Sequence, residues 1–160
     1  MGSAGPVGSA VLLAGALGGM LILASDFATT FSVDVVTATC TDLADPELAD
    51  KCVTKGGEQH AYMFVVLGLL AVLMAWGAGS GGSRPAAVAL VAIGIGVLFV
   101  AFASDLPDAG ETGAVGRNFE GGEANPGAGL WLEIAGGALV TLAGLARLLR
   151  PDTRPPTKSE

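Results

Sequence analysis

Four apolar stretches, residues 7–25, 61–78, 85–103 and 129–149, constrain this chain more than any other feature. Each has 18 to 21 residues, and at about 1.5 Å of helical rise per residue that is enough to cross a hydrocarbon core of roughly 30 Å. The first three hold no charged residue; the fourth holds Glu133 near its start. Lipid offers a backbone no hydrogen bonds, so a spanning segment must satisfy its own N–H and C=O groups, and a helix does this alone. The sequence therefore predicts an all-α membrane protein. Its expected form is a single four-transmembrane-helix bundle with two extracellular loops, residues 26–60 and 104–128, and a tail at 150–160.

Composition enters as an exclusion. Only 14% of residues are charged and the mean hydropathy is +0.62, against about a quarter charged in soluble domains. A net charge of −7 leaves no basic face to neutralise phosphates, which excludes nucleic acid as a partner. One His and two Cys are too few for a zinc cluster or a bis-His haem, so no metal and no other cofactor is expected. The expected partners are the lipid bilayer, other membrane proteins and further copies of the chain. The first stretch is expected to be retained rather than cleaved as a signal peptide. No Lys or Arg precedes it, and Ile22 stands where a cut after Ala24 needs a small residue.

Lys and Arg beside helix ends set orientation. Residues 26–60 carry seven acids and two lysines, and residues 104–128 carry five acids and Arg117. Arg84 lies in the tight turn before the third stretch, and Arg147, Arg150, Arg154 and Lys158 lie at or beyond the end of the fourth. Both termini are thus expected in the cytoplasm, and both acidic loops outside a multi-pass cell-membrane protein. Cys40 and Cys52, with eleven residues between them, fall in the first outer loop, where a disulfide persists. A structural disulfide is expected, contributing about 3 kcal/mol on the chain-entropy model. A thiol-oxidase relay would need a C-x-x-C pair and a second cysteine pair, and the sequence has neither. Asp42, Asp45, Glu47 and Asp50 in the same loop lack the glycine and terminal Glu of an EF-hand and read as a solvated acidic face. Residues 108–127 are Gly-rich and read as a mobile loop.

Two short patterns recur in the same order. The first stretch leaves through Leu23-Ala24-Ser25-Asp26 and the third through Phe102-Ala103-Ser104-Asp105; the second is announced by Gly56-Gly57-Glu58 and the fourth by Gly121-Gly122-Glu123. A duplicated helical hairpin is expected, its copies parallel and related by an axis along the membrane normal. Polar exits and turns recurring by chance are the plain alternative.

Two side chains stand out for chemistry. Glu133 lies about one turn into the fourth stretch, and an ionisable group within a span is a candidate functional residue. Trp131 beside it marks the interfacial belt, where a carboxylate reaches water. His60 begins the second stretch at the same level, followed by Tyr62. If the second and fourth helices adjoin, His60 and Glu133 form a candidate polar or ion site able to relay protons or bind a cation; otherwise His60 is an interfacial cap. Small residues at helical spacing, Gly15-x-x-x-Gly19, Ala71-x-x-x-Ala75, Ala92-x-x-x-Gly96 and Gly137-x-x-x-Thr141, offer faces for close helix packing. No phosphate-cradling loop, nucleophile elbow or HExxH occurs, so no catalytic residue is assigned.

Gln59-His60-Ala61-Tyr62, Gly82-Ser83-Arg84-Pro85-Ala86-Ala87, Asp105-Leu106-Pro107-Asp108 and the segment from Phe119-Glu120 to Glu133 resemble an uncharacterised family of small four-helix membrane proteins from high-GC Gram-positive bacteria. The likeness covers most of residues 10 to 150 and implies no activity. Claudin-like tetraspans share the expected topology and first-loop disulfide, but their Trp-rich outer-loop signature is absent. The expected function is a non-enzymatic tetraspan serving as an accessory, scaffold or interaction subunit. The alternative is a small transporter or channel component with Glu133 and His60 on a polar path, and the two part on whether Glu133 faces the bundle interior or water.

Overall fold

The small residues of this chain determine how its helices meet. The computed structural model describes residues 5–34, 52–112 and 121–150, which are mostly helical. The helices are α1 (Pro6–Ser25), the short α2 (Gly56–His60), α3 (Met63–Gly79), α4 (Arg84–Val100) and α5 (Ala128–Leu148). α1 packs on both α3 and α5, and α4 packs on α5 and α3. Among the described residues, three helical segments, Pro6–Ser25, Arg84–Asp108 and Ala128–Leu148, are long and apolar enough to cross a membrane; α3 is apolar but has only 17 residues, a length of about 25 Å.

At the crossings, backbones approach where side chains are smallest. Gly15 lies against Ala75, Gly19 against the Gly68 carbonyl, Gly18 against the Gly136 carbonyl, and Gly137 against Leu98 and the Gly94 carbonyl. Gly15, Gly19 and Gly137 all sit in helix contacts. The Ala92 to Gly96 face does not: Gly96 has open space around it, and the inward stripe of α4 is Ala87, Leu90, Gly94 and Val97. The buried core is largely alanine, valine and glycine, while Leu13, Leu17, Leu73, Trp76, Phe99 and Trp131 point outward. Such an inverted pattern would make a soluble protein aggregate. In lipid it suits a bundle held by close packing, because tails solvate large apolar side chains as well as a core does.

The turn between α3 and α4 is fixed by Gly82, at φ +64°, and by Ser83, whose hydroxyl accepts from the Ala86 N–H ahead of Pro85. Arg147 donates from Nη2 to the Gly82 carbonyl at 2.8 Å. The end of α5 and the start of α4 therefore share one end of the bundle.

At the other end the all-α expectation needs correction. β1 (Thr29–Asp34) pairs antiparallel with β2 (Val53–Lys55) on one side and β3 (Glu123–Pro126) on the other, in the order β2-β1-β3. Thr29-Thr30-Phe31-Ser32-Val33 is a run of β-branched and aromatic residues, which favours a strand. It sits in an apolar-to-acidic transition, too short and too polar to read as a span. Gly127 closes the sheet onto α5: its N–H donates to the Thr30 carbonyl at 2.8 Å, and a Cβ there would strike Thr29. Residues 121–127, expected as mobile loop, thus form a strand and the entry to α5. Cys52 is buried beside β2 and is not a free thiol. Cys40 lies outside the described residues, as do Asp42, Asp45, Glu47 and Asp50.

Candidate functional site

Under the sheet, four elements deliver ionisable side chains to one place, and each uses a local irregularity to do so. α1 ends at Ser25, and Asp26 folds in as its C-cap, only 2% exposed. Its Oδ2 accepts the Val65 N–H at 2.8 Å, capping α3, whose own N-cap Tyr62 makes no side-chain cap bond. A free helix N-terminus leaves orphan donors, so a carboxylate from the preceding helix supplies what the local sequence lacks. Burial pushes the Asp26 carboxyl above its ordinary value, against the pull of the Val65 N–H.

His60 closes α2, and the next two residues, Ala61 and Tyr62, take φ of 49° and 59°. Two consecutive non-glycine residues in the left-handed region are strained. This kink is why α3 starts at Met63 rather than at residue 61, and it separates His60 from Tyr62. His60 turns inward onto Phe64, ring centroids 4.4 Å apart, while Tyr62 is exposed and lies beside Phe27. Gly56 and Gly57 seat α2 directly on α1's end, their N–H groups donating to the Ala28 and Asp26 carbonyls.

Asp105 ends a π-helical turn, Ala101–Asp105, that continues α4. The inward stripe of α4 proceeds from Val97 to Ala101 to Asp105, two successive four-residue steps. At 3.6 residues per turn those steps drift off the inner face; the wider i→i+5 turn takes up the drift and keeps Asp105 inside. A final helical turn, Leu106–Asp108, follows, and Gln59 Nε2 donates to Asp108 Oδ2 at 3.0 Å, tying it to α2.

Glu133, in the second turn of α5, is fully buried. It does not reach water as its place beside the exposed Trp131 suggested. His60 Nε2 lies 3.2 Å from Asp105 Oδ2 and 3.8 Å from Glu133 Oε1, and donor atoms of all three residues lie within 4.8 Å of one another. The distances are those of ion pairs, but none of these atoms completes a directional hydrogen bond. Among the described residues, Asp26 Oδ1, Thr30 Oγ1, His60 Nε2 and all four carboxylate oxygens of Asp105 and Glu133 are buried without a hydrogen-bond partner.

The structure thus brings His60 and Glu133 together, and adds Asp105 and Asp26, which the sequence reading did not assign to a site. The signal was present: the repeated small-Ser-Asp step ends in these two aspartates. Counting His and Cys as metal ligands overlooked carboxylates supplied by separate helices. Comparison with known family models, curated proteins and solved structures finds no match to this chain, so the case for a function rests on this geometry.

Proposed function

We propose that the chain is a four-span cell-membrane protein that binds a cation among His60, Asp105 and Glu133, as a small transport component. The observation that carries this reading is the set of buried polar atoms without partners. Two carboxylates enclosed with one imidazole cost several kcal/mol in desolvation unless the excess charge is paired, protonated or coordinated. A scaffold acting through its outer loops has no use for such a cluster. An ionisable group turned into the bundle is the mark of an ion or proton path, and no bond-making chemistry is required.

Several observations support the finer architecture. α2 and the kink lengthen the path of α3, so all four apolar helices span. Arg84, Arg147 and the Gly82 turn share the end opposite the acids, which favours cytoplasmic termini and an external sheet. An impermeant thiol reagent applied to intact cells should fail to label a Cys introduced into the tail. Cys52, not a free thiol, pairs with Cys40. Asp26 and Asp105 arriving at one cluster from α1 and α4 favours a duplicated hairpin. The two Gly-Gly-Glu copies have diverged, one opening α2 and the other entering β3.

The test is the thermal stability of purified protein against sodium, potassium, magnesium, calcium and zinc chlorides. At least one cation should raise the Tm of the wild type and leave Glu133→Gln unmoved. No shift with any of them would overturn the reading. Liposome uptake of the stabilising cation, compared between the two proteins, then separates transport from static binding.

A further inference from the structure

Resting on that reading, we infer that the cation is a divalent first-row transition metal of the zinc type. His60 Nε2 and one carboxylate oxygen each from Asp105 and Glu133 hold it, leaving a fourth coordination position open.

Geometry comes first. A tetrahedral ion with bonds of about 2.0 to 2.2 Å keeps its ligand atoms roughly 3.3 to 3.5 Å apart. The His60 nitrogen is already 3.2 Å and 3.8 Å from an oxygen of each acid, and the widest separation in the group is within 4.8 Å. Closing around an ion therefore needs a movement of about 1 Å, within reach of side-chain torsions with no helix displaced. The imidazole nitrogen lies between the two carboxylates, within ion-pair distance of both, so all three groups already face a common centre. Phe64 backs the ring, so the nitrogen is held while the space in front of it stays polar.

Charge and donor type then select the ion. Asp105 and Glu133 are both wholly buried, and a divalent ion that displaces their protons balances both carboxylates, which a monovalent ion does not. Magnesium and calcium favour all-oxygen shells of six or more ligands, whereas an imidazole with carboxylates suits zinc, iron, nickel or copper. Three protein ligands with an open position is the arrangement of metal sites that exchange a ligand rather than of sealed structural ones. Asp26 lies within electrostatic range of both His60 and Glu133 and adds a third buried acid that favours a cation at this end. The π-helical turn under Asp105 and the left-handed pair after His60 are local irregularities of the kind kept where a site depends on them.

His60 is the only histidine in the chain, so its ring nitrogens can be followed with no mutation. Tag-free protein labelled with ¹⁵N-histidine is titrated with zinc, cobalt(II), magnesium and calcium. Zinc should move the Nε2 resonance and saturate at one equivalent. Cobalt should broaden that resonance and give visible d–d absorption, and magnesium and calcium should do neither. Glu133→Gln and Asp105→Asn should each weaken zinc at least about 100-fold, more than the loss of an outer-shell partner costs, with helical circular dichroism and elution volume retained. Should either variant misfold, the wild-type resonance decides alone. An Nε2 signal unmoved by zinc and cobalt overturns the inference, as does zinc binding that both folded variants keep. If sodium or calcium stabilises the protein while His60 stays silent to zinc, the metal class is wrong and the cation reading stands. If no cation acts at all, both fall.

Discussion

Along α1, Gly15, Gly18 and Gly19 lie against Ala75, the Gly136 carbonyl and the Gly68 carbonyl; a turn or two further on, Ser25 and Asp26 enter a region where buried polar atoms have no partners. The same helix passes from a zone where backbones nearly touch to one where three acids and one imidazole are enclosed together. The glycine zone leaves no room for a Cβ at Gly15, Gly18 or Gly19 and gains its stability from dispersion between close surfaces, since lipid supplies no hydrophobic drive between helices. The polar zone is built at a cost in desolvation that this packing offsets. Close packing and buried charge thus occupy different lengths of the same helices, and substitutions in the two zones should differ in sign.

The largest effect is expected in the glycine zone. A side chain at Gly68 would meet the Gly19 carbonyl and Leu23, with backbone on one side and a packed helix on the other. Gly68→Leu should cost more than about 3 kcal/mol, at or beyond the usual range for overpacking, and should abolish the monodisperse peak in detergent. A Tm within a few degrees of wild type would break the division between the zones.

The sheet comes next. With Cys40 bonded to Cys52 as proposed, Cys52→Ser should lower stability by about 2 to 4 kcal/mol, and peptide mapping of the wild type without reductant should recover the two cysteines together. Free thiols at both would remove the staple from the polar end and leave the sheet to hydrogen bonds alone.

How much of this was legible in the sequence also divides by zone. The apolar stretches predict α1, α4 and α5 to within a few residues, because length and hydropathy are summed over twenty positions and tolerate local error. Gly15, Gly19 and Gly137 were legible as packing residues for the same reason: lipid-embedded helices have few other ways to approach. Gly96 misled because a small-residue pair carries no information about which face it is on; the stripe beginning at Ala87 settles that. The polar end depended on single residues. The kink at Ala61 and Tyr62 has no glycine to announce it, and the π turn follows from the spacing of Val97, Ala101 and Asp105 rather than from residue type. Glu133 and His60 were visible as isolated ionisable groups. Asp105 was read as a loop acid, because the span was ended where hydropathy fell rather than where the inward stripe ended.

Removing the buried charge should act in the opposite direction to crowding a glycine. Replacing a buried ionic group by an apolar one of similar volume is often neutral or stabilising, so Glu133→Met, measured with a chelator present, should raise stability by about 1 to 3 kcal/mol. It should also abolish any stabilisation by added cation. A Met variant less stable than the wild type in chelator would mean that Glu133 is already satisfied, and would erase the contrast between the zones.

The smallest effect is the sharpest comparison, because it lies within two residues of one helix. A Cβ at Gly94 would meet Thr141 and the Gly137 carbonyl, whereas a Cβ at Gly96 would meet nothing within 4 Å. Glycine costs a helix interior about 0.5 to 1 kcal/mol relative to alanine through backbone entropy. Gly96→Ala should therefore raise stability by at most about 1 kcal/mol. At Gly94 the same gain is opposed by a contact with backbone that cannot yield, so Gly94→Ala should lower stability by about 1 to 3 kcal/mol. Paired thermal melts of the two variants read the difference directly. Equal shifts at both positions would mean that α4 does not present Gly94 to α5, and the inward stripe that carries Asp105 to the cluster would have to be redrawn.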